Sequence, residues 1–250
     1  MKRVLVISDN EELVAAFIKI SGATNIASQA SFQYRYSSVN RTPAQMIKLG
    51  FSSIDLKDTN TVDAICRQFD IVFSIHCKQI FPVRLVNSLL CINLHPGFNP
   101  SNKGWYPQAF SILNKQIAGA TLHVMTDDID AGPIISQIEV DIDAADTSLT
   151  LYRKIQVAEI SLIKEKLASI LSDSYTVTAC PFPGNFNRRA DFDRLCSLDL
   201  TSVGTLQEHI DLLRAVSHPP FHNAYYDDNL GNKIYIRVEL LKKEVSPAYE

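Results

Sequence analysis

Asn93-Leu94-His95-Pro96-Gly97 holds residue types that acyl transfer needs. In a strand, residues two apart share a face, so Asn93 and His95 project together. Pro96-Gly97 stops the strand at once and leaves both side chains at its carboxyl end, where open α/β sheets place their ligands. An asparagine amide donates to a developing oxyanion, and a histidine carries protons near neutral pH. Taken alone, such a pair is more often turn chemistry or a satisfied polar contact than a catalytic one. A second segment adds what the first lacks. Gly119-Ala120-Thr121-Leu122-His123-Val124-Met125 precedes Asp127-Asp128-Ile129-Asp130-Ala131-Gly132-Pro133-Ile134-Ile135. This order reads as strand, acidic loop, Asp-x-Gly, strand. A carboxylate so placed can reach a histidine on a neighbouring strand, raise its pKa and orient it. On spacing alone, Asp127 and Asp128 read better as solvated turn residues.

The elements that must position these groups alternate. Arg3 to Ser8 is a buried strand, and Ser8-Asp9-Asn10 offers N-caps for a helix with Leu13, Val14, Phe17 and Ile18 on one face. The chain then runs irregularly to Ile54. Further on come a helix from Thr61 to Phe69, a strand from Asp70 to Ile75 and a helix from Val83 to Leu89. A strand from Cys91 to His95 and a helix from Trp105 to Leu113 follow. Two strands, Gly119 to Met125 and Pro133 to Asp141, lead to a long helix from Leu149 to Leu171. Alternation of this kind predicts an α/β fold, a mainly parallel sheet covered on both faces. Pro181 to Asn187 is rich in breakers. Residues 1–180 are therefore assigned to a catalytic domain. Residues 181–250 form a smaller region with a helix (Leu206 to Ala215) and a hairpin: Ala224 to Tyr226, a turn at 228–232, then Ile234 to Leu240.

Composition removes several classes. Of 250 residues, 46 % are hydrophobic and 20 % charged, the balance of a globular protein. A net charge of −3 provides no basic excess for nucleic acid or an anionic membrane. No mostly apolar stretch reaches the roughly 18 residues of a bilayer span, and the four apolar residues after Arg3 are too few for a signal peptide. Five cysteines without a CxxC read as free thiols of a cytoplasmic protein. In His218-Pro219-Pro220-Phe221-His222 the prolines forbid the helical spacing of a metal-binding HxxxH, so no metal is expected.

Asn-x-His-Pro, Gly-x-Thr-x-His and Asp-x-Gly-x-Ile at these separations resemble the formyltransferases that use 10-formyltetrahydrofolate. The likeness spans roughly residues 1 to 180. A closer resemblance, to sugar N-formyltransferases acting on dTDP-linked amino-dideoxysugars, rests on three stretches: His95 to Pro100, Lys103 to Gln108 and Ser74 to Gln79. The resemblance implies a Rossmann-like formyltransferase fold and a catalytic set of Asn93, His95 and Asp130. The implied donor is 10-formyltetrahydrofolate. The acceptor is the amine of dTDP-4-amino-4,6-dideoxyglucose, or of a 3-amino-3,6-dideoxyhexose, destined for a surface polysaccharide such as O-antigen. The folate is expected against His76, Cys77, Lys78, Gln79 and Ile80 and against Asp127 and Ile129, held mainly by backbone groups. Lys78 and Gln79 read equally as solvated loop residues. Expected substrate contacts are Ser8, Asp9, Asn10, Trp105, Tyr152, Asn187, Arg188 and Tyr225. For the first three a helix cap is an equal reading, for Trp105 a core role, and for the 187–189 cluster an exposed charge pair. As a base, His95 implies activity falling below about pH 6.

Two other readings were weighed. From Pro181 onward eight Lys and Arg face ten Asp and Glu, which disfavours a tRNA-binding appendage. A nucleotide-sugar-binding module without turnover has no need of the Asn–His–Asp set. The alternation of Ile234, Ile236 and Val238 predicts an apolar edge that a two-fold copy covers, hence a homodimer.

Overall fold

The computed structural model describes residues 1–228 and 230–243; Asn229 of the expected turn and the last seven positions lie outside them. The first half runs β1 (Lys2–Ser8), α1 (Glu11–Ser21), α2 (Thr24–Ala27), β2 (Ala30–Ser37), α3 (Ala44–Lys48), β3 (Ser52–Ile54), α4 (Thr59–Gln68), β4 (Ile71–Ile75), α5 (Val83–Ser88) and β5 (Leu90–His95). Next come β6 (Lys103–Gly104), α6 (Pro107–Asn114), β7 (Ala118–Val124), β8 (Ile134–Val140) and α7 (Ser148–Leu171). The C-terminal part holds β9 (Phe186–Asn187), α8 (Arg189–Cys196), α9 (Leu206–Val216), β10 (Tyr225–Asp227) and β11 (Lys233–Tyr235).

Seven strands form one sheet in the order β3-β2-β1-β4-β5-β7-β8. The first five run parallel; β7 and β8 close the edge antiparallel. Period-two alternation sorts the side chains to two layers. Val4, Val6, Ile71 and Phe73 face the larger core under α1 and α7, and Leu5, Ile7 and Val72 face the smaller one under α4 and α5. On β5, Cys91 packs in the smaller core. Asn93 and His95 share its face, further along the strand.

The mainly parallel α/β sheet is as expected. The stretch expected to run irregularly holds β2. Its Phe32 and Tyr34 pack edge-on against Phe17 of α1, so a polar-looking ASFQYRYS run is held by packing on one face. The sixth helix starts at Pro107, two residues later than expected, because Tyr106 adopts left-handed backbone (φ 54°) before it. The hairpin is shorter than expected. Its ladder joins Tyr225–Asp227 to Lys233–Tyr235, with one further bond from Ile236 N–H to the Ala224 carbonyl.

Candidate active site

β5 ends at His95, and its last residues pair antiparallel with β7, setting Asn93 opposite His123 and His95 opposite Thr121. The turn that follows is fastened from β7. Thr121 Oγ1 donates to the Gly97 carbonyl at 2.6 Å and accepts from Asn99 N–H at 3.0 Å and Gln137 Nε2 at 2.9 Å. Asp130 arrives from the loop between β7 and β8 on left-handed backbone (φ 51°), held by the Asn99 amide, which donates to the Asp130 carbonyl at 2.9 Å. A non-glycine residue there is strained and needs such support.

The three residues converge. Asn93 Nδ2 donates to Asp130 Oδ1 at 3.0 Å, and Gly104 N–H donates to Oδ2 at 3.1 Å. His95 Nδ1 lies 3.5 Å from the same Oδ2. His123 Nδ1 donates to the Val124 carbonyl at 3.0 Å, which leaves Nε2 as acceptor, 3.3 Å from Asn93 Nδ2. One Asn93 hydrogen is thus anchored on Asp130, and the other has only a long contact to release. His95 is 4 % exposed, and its Nε2 has no partner among the described residues. Burial pushes the imidazole pKa down to about 4, against the pull of the Asp130 carboxylate. Burial would raise Asp130; the charges that His95 and His123 carry when protonated and the Gly104 N–H outweigh it and hold the group well below the usual carboxylate range.

Gly97 is required by this packing. A Cβ there would sit 2.5 Å from His95 Nε2 and 3.1 Å from Pro107 Cβ. Gly97→Ala is therefore expected to displace the imidazole and lower kcat about 100-fold, as misplacement of a catalytic group by about 1 Å does. The thermal midpoint, a control, should move by no more than a few degrees.

These groups open onto a cleft of about 940 Å³, near the upper end of the usual size for small-molecule sites. His76 to Ile80, Asp127 and Ile129 line one part of it, with Trp105 (40 % exposed), Tyr152 and Tyr225 in its wall. Gln79 does not offer its side chain: the amide is buried and bonded to Asp55 and the Leu56 N–H.

Ser8, Asp9, Asn10, Asn187 and Arg188 are not among the residues that line the cleft. Ser8 is fully buried and bonds its own turn at Asn10. Asp9 accepts from Ser37 N–H and hydroxyl and from Lys78 N–H. Asn10 caps α1 through Leu13 N–H at 3.0 Å. In this glycine-free turn the polar side chains satisfy nearby backbone N–H groups. Asn187 is buried against Asn102, and Arg188 is exposed ahead of α8. From the 187–189 cluster it is Arg189 that lines the wall, its guanidinium 5.9 Å from the centre of the Trp105 ring; Lys78 is a second cation of the lining. His123 and the Gly104 N–H were not anticipated. His123 was visible as the last residue of Gly-x-Thr-x-His, but its place opposite Asn93 follows only from the antiparallel register.

Sheet order and polar centre define a one-carbon acyl-transfer fold, and the chain belongs to the formyl transferase family. The family model "Formyl transferase" matches residues 3–167, and a model of the N-formyltransferase dimerization C-terminal domain matches residues 191–243. Among curated relatives, the dTDP-4-amino-4,6-dideoxyglucose formyltransferase of Mycobacterium tuberculosis is 42 % identical over 179 residues, 72 % of this chain and 76 % of that one. Two solved structures are alike over nearly the full length. A sugar N-formyltransferase from Shewanella sp FDAARGOS_354 superposes with a TM-score of 0.95 at 45 % identity, covering 98 % of this chain and 100 % of the other. A 4-N formyltransferase from Francisella tularensis gives 0.91 at 39 % identity, covering 97 % and 99 %.

Proposed function

We propose that this chain transfers the formyl group of 10-formyltetrahydrofolate to the amine of a dTDP-linked amino-dideoxyhexose, dTDP-4-amino-4,6-dideoxyglucose above others. The observation that carries the reading is the convergence of Asn93, Asp130 and His95, whose Nε2 has no partner among the described residues, on one cleft large enough for two ligands. Similarity to a 4-amino-sugar enzyme and a 4-N formyltransferase favours the 4-amino sugar over the 3-amino one.

The residues fit the donor. The rim from His76 to Ile80 and the acidic loop at Asp127–Ile129 line the same cleft as Asn93, His95 and Asp130, where a pterin would lie against them. The donor supplies an activated formyl carbon. His95 Nε2 removes a proton from the attacking amine. Asn93 Nδ2 turns its second hydrogen from His123 to the formyl oxygen, where charge develops. Asp130 holds both side chains and aids return of the proton to the departing folate nitrogen. Residues 1–180 serve as the catalytic domain and 181–250 as the region that completes the cleft and forms a homodimer; a match to a dimerization domain supports the latter. The reading includes a cytoplasmic site of action, with all five cysteines free, and a product used for surface glycan.

Incubation with 10-formyltetrahydrofolate and dTDP-4-amino-4,6-dideoxyglucose is expected to release tetrahydrofolate and add a formyl mass to the sugar. Faster turnover of a 3-amino sugar would overturn the assignment of the amine, and no release with either would overturn the reaction.

A further inference from the structure

Behind His76 of the cleft wall lies a buried carboxylate that the transfer chemistry leaves unused. Glu159, midway along α7, is 0 % exposed. Its Oε1 lies 2.7 Å from His76 Nε2, and its Oε2 has no partner among the described residues. Burial pushes this carboxyl above the usual range, with the imidazole opposing. A buried carboxylate beside a single partner is costly, and apolar replacements are often tolerated better. Its presence here points to work done through that partner.

The partner stands where the strand order reverses. His76 follows β4 and Asn10 follows β1. These strands are neighbours, Ser8 opposite Ile75, with β2 beyond one and β5 beyond the other. Crevices at such reversals are where open sheets bind ligands. Tyr152, two helical turns before Glu159, joins the two: its hydroxyl lies 2.8 Å from Asn10 Nδ2 and 3.2 Å from His76 Nδ1. The Tyr152 side chain also lines the cleft.

Counting hydrogens gives the direction of each bond. Asn10 Oδ1 accepts from Leu13 N–H, so Nδ2 faces Tyr152 and donates. Glu159 is fully buried and its carboxyl lies above the usual range, which favours a pair without net charge: one proton sits between Oε1 and Nε2, and Nδ1 carries the other hydrogen. Nδ1 therefore donates to Tyr152 as well. Asn10 Nδ2 and His76 Nδ1, 3.4 Å apart, are two donors on one acceptor and not a bond to each other. Both lone pairs of the phenol oxygen are then filled, and its own hydrogen is free for the cleft.

We propose that Glu159 and His76 are a positioning pair which, with Asn10, turns the Tyr152 hydroxyl outward as a donor to an oxygen acceptor on the amine-bearing substrate. The inference rests on the reading that the cleft takes an amino-sugar nucleotide. Its acceptor oxygens are those of the diphosphate and those of the hexose.

Tyr152→Phe, Glu159→Leu and the double variant test this by steady-state kinetics. Each single change is expected to raise KM for the amino-sugar nucleotide about tenfold and leave KM for the folate donor within twofold. The double variant should be no worse than Tyr152→Phe, because Glu159 acts only through that hydroxyl. A wild-type KM in Tyr152→Phe, a rise in the folate KM instead, or losses that multiply in the double variant would overturn the proposal. Calorimetric titration with thymidine diphosphate separates the two acceptors. About tenfold weaker binding to Tyr152→Phe assigns the bond to the diphosphate; unchanged binding beside a raised KM for the full substrate assigns it to the hexose. This arm needs no turnover, so a chain that binds the nucleotide and transfers no formyl group counts against the proposed reaction and not against the pair.

Discussion

Replacing His95 by Ala is expected to lower kcat about 1,000-fold, the middle of the range for a lost general base, with KM for the folate donor little changed. His95 lines the cleft with its Nε2 buried and, among the described residues, without a partner, and no other described imidazole beside it offers a free lone pair. His123 Nε2 faces the Asn93 amide, and the His76 ring is engaged on both nitrogens. A loss below tenfold would remove His95 from the proton path. The pH profile carries the same information. A base must be unprotonated, so the rate falls only as pH drops through its pKa. The expectation of a fall below about pH 6 assumed a solvated imidazole. Burial puts this one at about 4, so kcat should stay flat from pH 7 to pH 5. A limb near pH 6 in kcat would mean that His95 is solvated in the working enzyme or is not the base.

Asp130→Asn is expected to cost about as much, near 1,000-fold in kcat, at a smaller cost in stability than Asp130→Ala. The carboxylate accepts from Asn93 and Gly104 and faces His95 and His123. An asparagine of the same shape turns an –NH2 toward one of these donors, so either Asn93 or the Gly104 N–H loses its acceptor. Its lost charge also leaves burial unopposed at His95, which becomes a weaker base. Raising the pH therefore gives no rescue, in contrast to a variant that merely shifts a titration into range. Asp130→Ala additionally orphans both donors, at about 1–3 kcal/mol each for a buried group, and should lower the thermal midpoint clearly. If Asp130→Asn kept a tenth or more of the activity, the carboxylate would be a structural anchor only.

Much of this was legible in the chain. The buried runs at residues 4–7 and 71–75 read as strands because uninterrupted apolar residues suit a sheet covered on both faces. The strand stop at Pro96-Gly97 put Asn93 and His95 on one face at a carboxyl end, and the Asp-x-Gly loop offered a carboxylate. What escaped depended on partners distant in sequence. The second strand, Ala30–Ser37, looks irregular until Phe17 packs on its aromatic face. The polar residues of the first turn read equally as ligand contacts and as a helix cap, and only the fold brought the backbone N–H groups of Ser37, Lys78 and Leu13 to them.

Local rules of alternation and turn chemistry thus determined the layering of the sheet and the shared face of Asn93 and His95, because those signals lie within a few residues of one another, whereas Asp130 joined the set through the family resemblance. The tertiary structure alone decided the antiparallel register that brings His123 to Asn93, the dryness that sets the basicity of His95, and the meeting of Asn10, His76, Tyr152 and Glu159. Each of these is a matter of distance and solvent exclusion between segments up to 149 positions apart, and no local pattern encodes it.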